Sequence, residues 1–74
     1  MINIGNKFIH IENLEPRNGK LAYTVVNSKS GQRIGTVEWY RYWGRYVLIP
    51  LQDTVWDVGC MESIIKFIGN IKGR

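Results

Sequence analysis

The chain has little of what enzymes usually work with. Its 74 residues include one cysteine and one histidine. A single cysteine excludes an internal disulfide and suits a reducing compartment. Cys60 and His10 have no companions at metal-ligand spacing, and His10 has no evident acid–base partner in the sequence. "GNK" and "SGQRIG" do not match the spacing of a phosphate-cradling glycine loop. The expectation is a non-enzyme without metal or cofactor. Long apolar runs are missing too. The longest, Tyr46 to Leu51, is far below the roughly 20 residues that cross a bilayer. The N-terminal "MINIGNKFIHIEN" lacks the basic flank and apolar core of a signal peptide. A cytoplasmic protein without a membrane partner is expected.

Acidic residues are also scarce. Six Asp and Glu face ten Lys and Arg, giving a net charge of +4 and a pI near 9.5. That balance favours anionic partners. The basic residues are spread out, with no dense arm and no long track for holding DNA non-specifically. A compact anion or a protein partner fits better, with nucleic acid as a further possibility. Hydrophobic content of 45% and charged content of 22% are those of a globular chain. So short a chain buries only about 60% of its unfolded surface, and such domains often borrow stability from self-association. A single domain and a homo-oligomer follow as expectations.

The periodicity predicts an α+β fold. "KFIHIEN" alternates, with Ile9 and Ile11 on one side and Phe8, His10 and Glu12 on the other, a strand over about residues 7–13. "LEPRNGK" supplies turn chemistry through Pro16, Asn18 and Gly19. "LAYTVVN" is rich in β-formers and predicts a strand over 20–27, with Leu21, Tyr23 and Val25 sharing a face. "SKSGQ" reads as a hairpin loop with Gly31 at its positive-φ position. "RIGTVEWY" predicts a strand over 33–40, with Val37 and Trp39 on one face and Ile34, Thr36, Glu38 and Tyr40 on the other. "RYWG" turns the chain and "RYVLI" returns as a strand over 45–50, ended by Pro50. Thereafter Met61, Ile64, Ile65, Ile68 and Ile71 recur at steps of three and four, an amphipathic helix over about 57–72. Asp53, Thr54 or Asp57 is placed to cap its start, and Gly73 lies beyond its end. The whole is a four-stranded antiparallel β-meander closed by one C-terminal helix, ββββα.

What the sequence has in plenty is aromatic rings in one place. Gly35 to Pro50 holds five of the seven Trp and Tyr residues. Trp39 and Trp56 suit the core, Trp56 stapling the helix entry to the sheet, and Cys60 is in phase with Ile64 and Phe67 as a small core residue. Tyr40, Tyr42, Trp43 and Tyr46 cannot all face one core, and they alternate with Arg41 and Arg45. Rings beside guanidinium groups make a stacking surface for bases, each stack contributing about 1–3 kcal/mol. Arg33, Arg41 or Arg45 can hold phosphate by bidentate hydrogen bonds. Tyr, Trp and Arg are equally the residues enriched at protein–protein hot spots, so composition leaves both readings open.

Gly35, Val37, Trp39, Tyr40, Trp43, Tyr46, Leu48, Pro50, Thr54, Val55, Trp56, Cys60 and Met61 resemble a pattern in small bacteriophage and prophage proteins of unknown function. That pattern is Gly-x-[Ile/Val]-x-Trp-Tyr, Trp-x-x-Tyr-x-[Phe/Leu]-x-Pro, then a Thr-Val-[Phe/Trp] step and Cys-[Leu/Met] at the helix start. The resemblance covers the C-terminal half. Where the pattern often has an arginine directly after its second Trp, this chain has Gly44, with Arg45 next. The resemblance implies a phage accessory protein acting by stoichiometric binding. Three modes are open: sequestering a nucleotide-derived signal of host defence, blocking a host protein, or assisting replication on single-stranded nucleic acid. The first is the leading expectation, with Tyr40, Tyr42, Trp43 and Tyr46 stacking the ligand and Arg41 and Arg45 pairing its charge.

Overall fold

The computed structural model describes residues 2–17 and 19–71. The expectations resting on Asn18, Lys72 and Gly73 lie outside those residues. Four strands and one helix follow in the order β1 (Ile9–Arg17), β2 (Lys20–Asn27), β3 (Arg33–Tyr40), β4 (Arg45–Pro50) and α1 (Val58–Ile71). The strands form one antiparallel sheet in sequence order, β1-β2-β3-β4. The fold is the α+β meander that the periodicity predicts.

The first strand begins and ends later than the alternation alone suggests. Residues before Ile9 loop back, and Ile2 bridges Ile11 through two backbone hydrogen bonds of 2.6 and 3.1 Å. Asn6 ties this segment to the helix, its amide donating to Ser63 Oγ at 3.1 Å. At the other end β1 continues through Pro16. The pairing slips between Leu14, opposite Ala22, and Arg17, opposite Lys20, which places a bulge at the proline. An edge strand tolerates a residue without an N–H there, because the ladder is already interrupted.

A second bulge changes which residues meet the core. Val25 pairs with Gly35 but Val26 pairs with Arg33, so β3 carries one extra residue, Ile34. Strict alternation sets Ile34 opposite Val37; the bulge turns it into the core beside Val37. The core lies on one face of the sheet, between Ile9, Ile11, Tyr23, Val25, Ile34 and Val37 and the helix residues Cys60, Ile64 and Phe67. Phe67 meets Tyr23 edge to face, with ring centroids 5.0 Å apart. On the opposite face Thr24 is buried, and its hydroxyl donates to the Gly35 carbonyl at 3.0 Å.

Asp57 caps the helix. Its carboxylate accepts the Cys60 amide at 2.8 Å, satisfying one of the four N–H groups a helix start leaves free. Trp56 braces the entry. Its indole donates to Thr54 Oγ1 at 3.0 Å, and Thr54 donates in turn to the Leu51 carbonyl at 2.7 Å. The Trp56 ring lies over Gly35 so closely that a Cβ there would stand 3.0 Å from Trp56 Cζ2. The helix stripe is only partly covered: Ile64 is 2% exposed, whereas Met61 and Ile65 are 44% and 68% exposed. No helix among the described residues is long and apolar enough to cross a membrane.

Candidate binding site on the hairpin between strands three and four

β3 and β4 are joined by a tight loop, Arg41 to Gly44. The Tyr40 carbonyl accepts from both the Trp43 and Gly44 amides, at 3.2 and 2.9 Å. Such closure demands a left-handed residue last, and Gly44 supplies φ 63. Across the hairpin Tyr40 stands opposite Arg45 and Trp39 opposite Tyr46. Side chains alternate between faces, so the aromatic run is divided in two.

One group sits at the tip. Tyr40 is its hub, meeting Trp43 at 5.2 Å and 90° and Tyr42 at 5.4 Å and 60° between ring planes. Arg41 folds back on Tyr42, its guanidinium carbon 4.9 Å from the ring centre and one NH₂ donating to the hydroxyl at 3.0 Å. Arg45 donates through Nε to the Trp43 carbonyl at 3.3 Å. Tyr42 and Trp43 remain 72% and 66% exposed. Beside them Tyr40, Trp43, Val47, Leu48 and Ile49 line an open hollow of about 220 Å³. Among the described residues the ion pair between a Lys or Arg and a carboxylate is Arg17–Glu38, at 2.8 Å. Arg41 and Arg45 are therefore not neutralised by any carboxylate of those residues.

Tyr46 belongs elsewhere. Its ring packs on Trp39 at 5.5 Å and 81° on the helix side, and its hydroxyl donates to the Leu21 carbonyl at 3.1 Å. Burial first, and the neighbouring Tyr23 second, raise its pKa above the ordinary tyrosine value. Tyr46 is thus a structural donor, not a stacking platform beside Trp43. Arg33 is further away still. It opens β3 opposite Val26, seven residues from Tyr40, or about 23 Å along the strand. The seven aromatic and arginine residues that the sequence groups therefore do not form one site. The structure brings together Tyr40, Arg41, Tyr42 and Trp43, with Arg45 beside them, and excludes Tyr46 and Arg33.

Two arrangements escaped the sequence reading. Trp39 is only half-buried and carries the Lys20 ammonium 4.8 Å from its ring centre. With Tyr46, Gly44, Arg45 and Ile68 it lines a hollow of about 460 Å³ toward the helix. The alternation of Trp39 with Val37, projected across the loop onto Tyr46, is the signal that gives this pairing. His10 is the other. Its Nδ1 lies 3.0 Å from Ser28 Oγ and its Nε2 3.0 Å from Glu12 Oε2. Ser28 comes from a different turn, so only the fold unites the three. The Ser28 amide donates to the Phe8 carbonyl at 2.9 Å.

Cys60 is buried at the first turn of α1. Burial, and then the Asp57 carboxylate accepting from its thiol, push its pKa above the ordinary thiol value. It packs as a thiol, in line with its place on the apolar stripe. No three His, Cys, Asp or Glu residues gather as a metal-holding group among the described residues. No protein-family model, curated protein or solved structure matches the chain.

Proposed function

We propose that this chain is a non-enzymatic, phage-type accessory protein that works by stoichiometric binding in the cytoplasm of a bacterial host, as a homo-oligomer. Its hairpin tip takes a planar anion, of which a nucleotide-derived signal of host defence is the leading class. The observation that carries this reading is the tip itself: two exposed rings, Tyr42 and Trp43, beside Arg41 and Arg45. A base stacked on Trp43 would lie over the apolar hollow between Tyr40 and Ile49, where each stack contributes about 1–3 kcal/mol. The two guanidinium groups then meet the phosphate charge. A panel of mono-, di- and cyclic nucleotides tests this by thermal shift. A stabilising ligand whose effect is lost in Trp43→Ala and Arg45→Ala supports it. A panel that leaves the melting temperature unchanged sinks it.

A second reading keeps the same rings but makes the partner a host protein. Exposed Ile49 and Leu51 extend the apolar surface beyond Trp43, further than one base needs, and Tyr, Trp and Arg dominate protein hot spots. Here a stoichiometric protein is captured from bacterial lysate and released by Tyr42→Ala. Single-stranded nucleic-acid binding is the third reading, recognised by affinity that falls steeply with salt.

A further inference from the structure

The two edges of the sheet differ in kind. β1 is blunted by the Pro16 bulge and bridged by Ile2. β4 has no partner on its outer side among the described residues. Leu51 donates inward to the Ile34 carbonyl, and alternate residues of a strand point their backbone groups the same way. Ile49, Val47 and Arg45 therefore bond to β3, while Tyr46, Leu48 and Pro50 turn outward. The missing N–H of Pro50 falls on that open edge, where an edge strand accommodates it. The free donors are those of Tyr46 and Leu48.

The helix leaves its own surplus on the same side. Ile68 lines a hollow with Tyr46 and Arg45, and α1 passes close to β4. At 100° per residue Val58, Met61 and Ile65 share the flank that Ile68 begins, away from Gly59 and Ser63, which face Asn6. These three are 64%, 44% and 68% exposed. Between Met61 and Ile68 the helix rises about 10 Å, the length of three strand residues, and Ile68 marks the level of Arg45 and Tyr46. An open strand edge and an exposed apolar ridge thus form one side wall. From Tyr46 to Gln52 that wall carries no charged residue.

We propose that a second copy of this chain docks on this wall, pairing β4 with β4 about a two-fold axis at Val47. Tyr46 then lies opposite Leu48 of the second copy, and each such pair exchanges both its N–H···O bonds. This register uses every free donor of the edge and leaves Pro50 outside the ladder. The sheet continues from one copy into the other, and the Val58–Met61–Ile65 ridges are covered at the junction. The arginines of the edge do not oppose it. Arg45 faces Ile49 of the second copy, four residues from the other Arg45, about 13 Å away and beyond the screening length of about 8 Å in physiological salt. A stable interface takes about 800 Å² from each partner, against a chain surface of 5511 Å². One strand edge about 20 Å long and a helix ridge about 10 Å long from Val58 to Ile65 supply part of that area. This gives the oligomer of the proposed function an interface; Val47, Leu48 and Ile49 of that edge also line the hollow beside the tip, but the oligomeric state is read without any ligand and so holds or fails separately from it.

Sedimentation equilibrium and directed crosslinking test it. The wild-type chain is expected at twice 8.6 kDa. In a Cys60→Ala background, Val47→Cys faces its own copy across a pair with Cα atoms about 4.5 Å apart and crosslinks under mild oxidation. Ile49→Cys, facing Arg45, does not. Ile65→Lys raises the dissociation constant about tenfold or more with an unchanged far-UV spectrum, since that side chain is not part of the protomer core. A wild-type mass of 8.6 kDa up to about 100 µM overturns the proposal. So does a dimer in which Ile49→Cys crosslinks as fast as Val47→Cys, or one that Ile65→Lys leaves intact.

Discussion

Asp57 is a single side chain that fixes where the helix begins. The sequence offers Asp53, Thr54 and Asp57 as caps, and only geometry separates them. Asp53 is held at φ 61 in the turn, Thr54 serves the Trp56 indole, and Asp57 alone reaches the Cys60 amide. That amide bond, before any other cause, holds the Asp57 carboxyl below its ordinary pKa. A carboxyl whose folded pKa lies below its unfolded value stabilises the fold above the unfolded value, and loses that effect as pH falls through the folded one. Asp57→Ala is therefore expected to lower the melting temperature at pH 7 and to matter much less near pH 2–3. Calorimetry of both proteins across that range checks it. At the tip the same contrast holds: alternation placed Tyr40 to Tyr46 in one stretch, but only pairing across the hairpin reveals that Tyr46 turns away. Arg33 was grouped with the rings by residue type, which carries no distance.

At the scale of elements, the meander was legible because strands with one buried face alternate and turns need Gly, Asn or Pro. The two bulges were not. A bulge is one residue of mismatch between neighbouring strands, and neither strand alone records it. That is why Ile34 moved to the core and β1 ran on through Pro16. The crossing of Trp56 over Gly35 is a contact of the same kind, set by two elements together. A Cβ on Gly35 meets Trp56 Cζ2 at 3.0 Å, the Ile49 carbonyl at 3.2 Å and Leu48 Cδ1 at 3.3 Å. Backbone cannot retreat as a side-chain end can, so Gly35→Ala is expected to cost about 1–3 kcal/mol. Chemical denaturation with an unchanged m-value would measure it. The equally small substitution Gly69→Ala meets nothing within 4 Å and removes a flexible residue from the helix, so it should stabilise slightly.

Among the described residues the core lies on one side of a single sheet. For 74 residues a stability of roughly 4–11 kcal/mol is typical, and Ile64 sits at the centre of that core at 2% exposure. Ile64→Ala is expected to cost about 2–5 kcal/mol, a large share of that total, read as a clearly lowered melting temperature by circular dichroism. The helix stripe read from the sequence was wider than one small sheet can cover. Its surplus, Met61 and Ile65, stands beside the open edge of β4 and faces out from a molecule 31 Å long. Meanwhile Tyr40, Arg41, Tyr42, Trp43 and Arg45 gather at the far end of the β3–β4 hairpin. We propose above all that this tip holds a planar anion. It is tested most directly by ¹H–¹⁵N NMR of the labelled chain titrated with the nucleotide that most stabilises it. Saturable shifts are expected for the Arg41 to Arg45 amides and the Trp43 indole, with the Arg33 amide unmoved. Shifts centred elsewhere, or none at all, would contradict it.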